Sequence, residues 1–125
     1  MSKEEVEILD RVVAININQT YRAGLSAEEL YDVTRGIWRL DRDRAENAKY
    51  AFAVYQGEIK EVYFIQKWHR AGTTQYETPR ELPPELLSTR FEFTGIRAPD
   101  EIRDKYVGKL LAERHAQNPI KYFKC

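Results

Sequence analysis

Cysteine, long apolar runs and an excess of either charge are scarce or absent in this chain. Its single cysteine, Cys125, rules out a disulfide within the 125 residues, and we expect a reducing, cytoplasmic setting. No apolar run approaches the roughly 20 residues that a membrane-spanning helix needs, and no signal peptide is predicted. Twenty basic residues balance twenty acidic ones. Because a neutral chain attracts nucleic acid only through a local basic patch, any such role must come from a limited surface.

The motifs of common catalytic sites are also missing. The sequence contains no glycine-rich phosphate loop, no G-x-S-x-G nucleophile elbow and no H-E-x-x-H zinc motif. Its two histidines, His69 and His115, have too few potential ligands at suitable spacing for a structural zinc site. We therefore predict no metal, no cofactor and a protein that binds rather than catalyses.

What is present fits one folded domain over residues 1–125. The length and the hydrophobic content of 42% are ordinary for a single domain with its own core. We expect a charged, frayed segment at residues 1–10. Residues 72–89 contain three prolines and are predicted to form a surface loop.

Strand patterns occur along much of the chain. Val13, Ile15 and Ile17 recur with period two, which predicts a strand over residues 12–18. Two apolar segments, 50–56 and 58–68, are joined by Gln56 and Gly57 and read as a hairpin. Further strands are predicted at residues 90–94, where Phe91 and Phe93 alternate with Glu92 and Thr94, at residues 110–111 and at residues 120–123.

Two helices are predicted from the signals at their ends. Ser26 and Glu29 form a capping box, and the helix behind it ends at about Arg35, before Gly36. The second helix begins at Pro99, with acids in its first turn. Residues 41–49 are expected to form a charged connection, either a turn or one helical loop. Five or six strands, mostly hairpin-connected, and two short helices predict an α+β domain, a small, partly closed antiparallel β-barrel.

Both tryptophans lie beside cationic residues. Trp38 is close to Arg35 and Arg39, and Trp68 is followed by Arg70. An aromatic face beside a guanidinium group can stack a base, which is worth about 1–3 kcal/mol, and hold its phosphate. Alternatively, both rings fill the core with their indole N–H groups on backbone carbonyls, and the arginines belong to salt-bridged turns.

Two other functional classes remain open. Asp41 with Glu58 and Lys60 follows the acid-then-E-x-K order of many metal-dependent nucleases, in which carboxylates hold Mg²⁺ and the ammonium steadies a nucleophile. An exposed apolar face with Tyr63 and Ile65 would instead suit a protein-interaction or inhibitor domain. The sequence contains no feature that decides between these classes.

Four segments of the chain carry a resemblance to known proteins. They are LYDVTRGIWR (30–39), AFAVYQG (51–57), EVY (61–63) and NPI (118–120), and they resemble blocks that occur in this order in a group of small bacterial and phage proteins. The size and strand order also resemble PUA-like domains, the superfamily that includes the ASCH and EVE modules. That resemblance implies a pseudobarrel with a cleft that recognises RNA, a modified base or a nucleotide.

Taken together, the residues and the resemblance predict a non-enzymatic binding module for a nucleotide or a modified base, free or within RNA or DNA. Trp38 and Trp68 are predicted to stack on the base. Arg35 and Arg39 are predicted to meet phosphate, and Asn118 to read a polar edge. A phage protein that sequesters a nucleotide signal is one form of this function. Edge strands also make a homodimer possible.

Overall fold

The computed structural model of the chain describes residues 4–76, 84–87, 89–111 and 119–125. These ranges contain four helices, α1 (Ala27–Arg35), α2 (Arg42–Asn47), α3 (Pro84–Leu87) and α4 (Asp100–Tyr106). They contain seven strands, β1 (Glu5–Val6), β2 (Val12–Asn16), β3 (Tyr50–Tyr55), β4 (Glu58–Arg70), β5 (Phe91–Arg97), β6 (Leu110–Leu111) and β7 (Ile120–Phe123). Part of the predicted proline loop, and Asn118 with His115, lie outside the described residues.

The seven strands form one mixed sheet in which β4 pairs with β3, β5 and β6. The strand order is β1-β6-β4-β3-β2-β7, and β5 pairs with β4 beside this path. Residues 58–64 of β4 pair with β3, and residues 63–70 pair with β5, both antiparallel. The β3–β4 hairpin is confirmed, and its turn residues Gln56 and Gly57 have φ values of +49° and +81°, as a tight two-residue hairpin turn requires.

The pairing of β2 with β3 corrects the predicted antiparallel arrangement. These strands run parallel, with Val12 opposite Tyr50 and Asn16 opposite Val54. A parallel pair needs a long crossover connection, and residues 17–49, which include α1 and α2, supply it. The predicted order of strand, helix and strand was the sequence signal for this pairing. β1 and β6 are also parallel.

The α+β class is confirmed, and the sheet is open in the part of the chain that the structure describes, where β1 and β7 end the strand order without pairing to each other. The two predicted helices are α1 and α4. Of the turn and the one helical loop predicted for residues 41–49, the structure has the helical alternative, the short helix α2, in which the Oδ1 atom of Asp41 accepts the N–H groups of Asp43 and Arg44 at 3.0 and 3.2 Å and caps the helix. None of the described helices has the length and apolar character needed to cross a membrane.

Each face of the sheet buries its own apolar cluster, which explains why β3 is apolar on both faces. One cluster is covered by α4 and includes Val12, Ala14, Phe52, Val54, Val62 and Tyr106. The other is covered by α1 and α2 and includes Val13, Ile15, Ala51, Ala53, Trp68 and Phe93. The period-two alternation along β2 and β3 therefore sends successive side chains into two different cores.

Gly95 allows β4 and β5 to approach where their register shifts. It pairs with Ile65, next to the irregularity between Ile65 and Lys67. A Cβ atom at position 95 would be in hard contact with the carbonyl oxygen of Phe64. We expect Gly95→Ala to lower the free energy of unfolding by about 1–3 kcal/mol, measured by urea denaturation, because backbone must move to relieve the contact.

Ile96→Ala in the same strand is the matched control for Gly95→Ala. The Ile96 side chain is 55% exposed, so its truncation is expected to change stability by less than about 1 kcal/mol. Equal losses in the two variants would contradict a steric origin at position 95.

Candidate functional site

A cleft of about 650 Å³ opens beside the C-terminal end of β2. Its volume lies within the roughly 300–1,000 Å³ that is usual for small-molecule sites. The lining comes from the turn after β2, the C-terminal part of α1 and the segment behind it, and the residues that precede β5 and β7. The lining residues are Asn16, Ile17, Asn18, Gln19, Thr20, Val33, Ile37, Trp38, Arg39, Arg90 and Pro119.

Trp38 forms an aromatic wall of the cleft, and its position is fixed by three hydrogen bonds. Its backbone N–H donates to the carbonyl of Phe91 at 2.9 Å, and its carbonyl accepts the Phe91 N–H at 2.8 Å. Its indole Nε1–H donates to the carbonyl of Thr34 at 2.7 Å. The ring is half-buried. A ring held in this way loses little conformational entropy when a flat ligand stacks on it.

The cleft is locally basic although the chain is neutral. Arg39 is exposed, and Arg90 is half-buried immediately before β5. Among the cleft-lining residues that the structure describes there is no aspartate and no glutamate. Two guanidinium groups without a carboxylate among the lining residues favour an anionic ligand.

The turn after β2 is held by two asparagine side chains. The Asn16 Oδ1 atom accepts the N–H of Asn18 at 2.8 Å. The Asn18 Oδ1 atom accepts the N–H of Gln56 at 2.7 Å and so joins this turn to the β3–β4 hairpin. The carbonyl of Ile17 accepts the N–H groups of Thr20 and Tyr21 at 3.0 and 2.8 Å. These bonds fix the floor of the cleft relative to the sheet.

Of the predicted site residues, Trp38 and Arg39 lie together at the cleft. Asn118 lies outside the described residues, and the next residue, Pro119, is part of the lining. Arg90 was not among the predicted residues. Nothing in the sequence indicated that Arg90 belongs to the cleft. It reaches the cleft because the next residue, Phe91, pairs with Trp38, and this pairing is visible only in the fold.

Arg35 lies in the interior and does not line the cleft. It is 1% exposed. Its guanidinium group donates to the Thr74 hydroxyl at 2.8 Å and to the carbonyls of Phe93 at 3.2 Å and Gln75 at 2.5 Å. It also pairs with the buried Asp32 at 3.4 Å. Most of its donors are therefore used by the protein itself, as a buried guanidinium requires.

Glu92 is fully buried beside Arg35 and extends the same network. Its carboxylate accepts the N–H groups of Gly72 and Thr74 at 2.7 and 2.9 Å, the Thr74 hydroxyl, and the Tyr76 hydroxyl at 3.1 Å. The Arg35 guanidinium lies 3.8 Å from the centroid of the Tyr76 ring. The alternation around Glu92 predicted a strand but gave no sign that this acid is buried.

Trp68 also belongs to the interior. It is 3% exposed, its Nε1–H donates to the carbonyl of Ala45 at 3.0 Å, and its ring packs edge-on against Phe93 at 5.3 Å. This is the core-filling arrangement that we stated as the alternative to base stacking. Of the two tryptophans, Trp38 is the one that lines the cleft.

The residues of the two other functional classes lie elsewhere. Asp41 caps α2, and Glu58 pairs with Lys60 at 3.1 Å. Among the described residues no group of three or more histidine, cysteine, aspartate or glutamate side chains is arranged to hold a metal ion. Tyr63 is only 5% exposed, so the apolar face predicted with Ile65 is largely covered, and burial raises the pKa of the Tyr63 hydroxyl.

A second, shallower depression of about 360 Å³ lies beside α1. It contains charges of both signs, with Glu28 and Glu61 near Arg97. The Glu61 carboxylate already pairs with Arg103 at 2.7 Å and with Arg97 at 3.2 Å. Because these charges neutralise one another, the cleft at Trp38 is the better candidate for binding an anion.

Comparisons of the chain with protein-family models, with curated proteins and with solved structures found no match. The resemblance to PUA-like domains therefore stays a prediction. The function of the cleft has to be argued from its own residues, which are a fixed indole, two arginines and a turn held by asparagines.

The different positions of Arg35 and Arg39 predict different effects on stability. Arg35→Met removes the cation that pairs with the buried Asp32, and we expect the free energy of unfolding to fall by about 3–5 kcal/mol. Arg39→Met, four residues further along, changes an exposed side chain and is expected to cost less than about 0.5 kcal/mol. Urea denaturation of the two variants measures both values. Similar losses would contradict the structural role given to Arg35.

Proposed function

We propose that the protein is a binding module for a nucleotide or nucleobase and that the ligand occupies the cleft at Trp38. The observation that carries the proposal is the composition of the cleft: a half-buried indole held in place, with two arginines and no carboxylate among those lining residues that lie in the described ranges. Binding of this kind needs no catalytic group. Sequestration of a nucleotide signal, the role we predicted for a phage protein, is one form of it.

The aromatic part of the ligand is assigned to Trp38. Stacking of one base on an aromatic side chain is worth about 1–3 kcal/mol. The carbonyl of Thr34 accepts the indole N–H, and Phe91 is hydrogen-bonded to both the backbone N–H and the carbonyl of Trp38. The ring therefore stands ready for a flat ligand and needs no rearrangement to receive one.

The phosphate is assigned to Arg39 and Arg90. Guanidinium groups bind phosphate oxygens through charge-assisted, often bidentate hydrogen bonds. Long nucleic acid is usually bound over many phosphates, and the neutral chain offers two arginines in this cleft. These charges favour a free nucleotide, or a single base presented out of its strand, over an extended duplex.

The PUA-like architecture is part of the same proposal. It is supported by the way in which β4 leaves β3 and continues with β5, with register shifts in both pairings. Strands that change partners at bulges are the means by which small sheets turn corners and fold over on themselves.

The test is a calorimetric titration of the protein with nucleoside monophosphates and with short RNA and DNA oligonucleotides. We expect saturable binding of at least one nucleotide, and a rise in melting temperature once its concentration exceeds the dissociation constant. Trp38→Ala and Arg39→Ala should each weaken binding by about tenfold, the equivalent of about 1.4 kcal/mol. Binding of a mononucleotide should depend only weakly on salt concentration.

Arg22→Ala is the matched control for Arg39→Ala. Arg22 is an exposed arginine that pairs with Glu29 and is not part of the cleft lining. The Arg22→Ala substitution removes the same charge from the chain as Arg39→Ala, and we expect its affinity for the nucleotide to be unchanged. Binding that is lost equally in the Arg22 and Arg39 variants, or that survives Trp38→Ala unchanged, would refute the assignment of the cleft. A steep salt dependence would indicate long nucleic acid as the ligand.

A further inference from the structure

We infer that the cleft selects bases with an exocyclic oxo group, such as hypoxanthine, guanine and uracil, over bases that carry an amino group in the same place, such as adenine and cytosine. This inference rests on the proposed function and names the class of ligand for the same site. The observation behind it is that the described polar side chains of the cleft are rich in donors, because backbone N–H groups already occupy one lone pair on the oxygen of Asn16 and of Asn18.

The orientation of two carboxamides is settled by their partners. The oxygen and nitrogen of an asparagine side chain are assigned from hydrogen bonding, and a backbone N–H can only donate. The atom of Asn16 that meets the Asn18 N–H is therefore the oxygen, and so is the atom of Asn18 that meets the Gln56 N–H. What remains for a ligand on each side chain is chiefly the NH₂ group.

The other polar groups of the lining lead in the same direction. The guanidinium groups of Arg39 and Arg90 are donors without acceptor capacity. The Thr20 hydroxyl donates to the carbonyl of Ile17 at 3.3 Å and keeps a neutral acceptor, and Gln19 carries one donor group and one neutral acceptor. Among the described lining residues, five side chains with donors to offer, two of them cationic, thus outweigh the neutral acceptors of Thr20 and Gln19.

A base that meets such a set of donors is read through its acceptors. An exocyclic oxo group accepts a hydrogen bond from an asparagine NH₂ or a guanidinium group. An exocyclic amino group at the same place brings a donor against a donor, and both groups lose their hydrogen bonds to water without a replacement. Sites built in this way discriminate strongly, because the mismatch leaves polar groups unpaired.

The experiment compares nucleotides that differ at this group and at the ring nitrogen beside it, which carries a hydrogen in hypoxanthine and uracil and is an acceptor in adenine and cytosine; the aspartate variants below assign any preference to the asparagine donors. Inosine 5′-monophosphate is titrated against adenosine 5′-monophosphate, and uridine 5′-monophosphate against cytidine 5′-monophosphate, under identical conditions by calorimetry. We expect the oxo member of each pair to bind about tenfold more tightly, since one such hydrogen bond contributes on the order of 1 kcal/mol and the mismatch adds a penalty. The phosphate and sugar are common to both members, so their contributions cancel.

Asn16→Asp and Asn18→Asp test the assignment to these side chains. Each aspartate keeps the oxygen that accepts the backbone N–H and replaces the NH₂ donor by an acceptor. The expected result is that the ratio of oxo to amino affinity falls several-fold towards one. Added negative charge weakens all nucleotides alike, so the ratio rather than the affinity is the readout. Asn47→Asp, at an exposed position at the end of α2, is the matched control.

The outcomes separate the inference from the proposed function. Equal affinities for both members of each pair, with both clearly bound, overturn the inference and leave nucleotide binding intact. A preference that survives both aspartate substitutions in variants whose melting curves show them to be folded also overturns it. Failure of every nucleotide to bind overturns the proposed function and the inference together.

Discussion

The cleft depends on a cluster of buried charges that it does not itself contain. Burying Arg35, Asp32 and Glu92 is unfavourable unless each charge is paired or hydrogen-bonded, and the structure meets this requirement by drawing α1, β5 and residues 72–76 together around them. Trp38 follows Arg35 by three residues, and Arg90 precedes Glu92 by two. Trp38 and Arg90 therefore lie within three residues of the cluster on two chain segments, which the backbone hydrogen bonds between Trp38 and Phe91 hold together.

Two arginines that are close in sequence, Arg35 and Arg39, lie in different environments, one in the interior and one at the surface. Arg35 is the last residue of α1 and turns inward against Phe93, whereas Arg39 follows the helix and is exposed. Gly36 lies between the two arginines in sequence and packs closely against Tyr76 and Glu92. A Cβ atom at this position would collide with the Tyr76 hydroxyl and with Glu92. A sequence that places two arginines around one tryptophan thus yields one structural cation and one available to a ligand.

The parts of the fold that local chemistry decides were predictable from the sequence. The capping box at Ser26 begins α1 where expected, and Gln56 with Gly57 makes the expected hairpin. The parallel pairing of β2 with β3 was missed because each strand was judged by its own periodicity and not by the helices between them. Trp38 and Arg39, which were predicted because their residue types carry the chemistry, do line the cleft. Arg90 was not predicted there because only the tertiary pairing of Trp38 with Phe91 brings it to the cleft. Arg35 was predicted there because most of its partners in the interior are distant in sequence.

The same hydrogen bonds that build the turn after β2 also orient the amides on which the proposed specificity rests. Because the oxygens of Asn16 and Asn18 hold backbone N–H groups, the fold itself turns two chemically ambiguous amides into donors. With Arg39 and Arg90 they give a cleft suited to ligand acceptors within a chain whose net charge is zero. The specificity of the cleft and the stability of this turn are then linked. A substitution that loosens the backbone of the turn frees the amides to rotate. A rotated amide can accept a hydrogen bond from an amino group as well as donate one to an oxo group. The discrimination of the cleft is therefore only as strong as the two bonds that hold this turn.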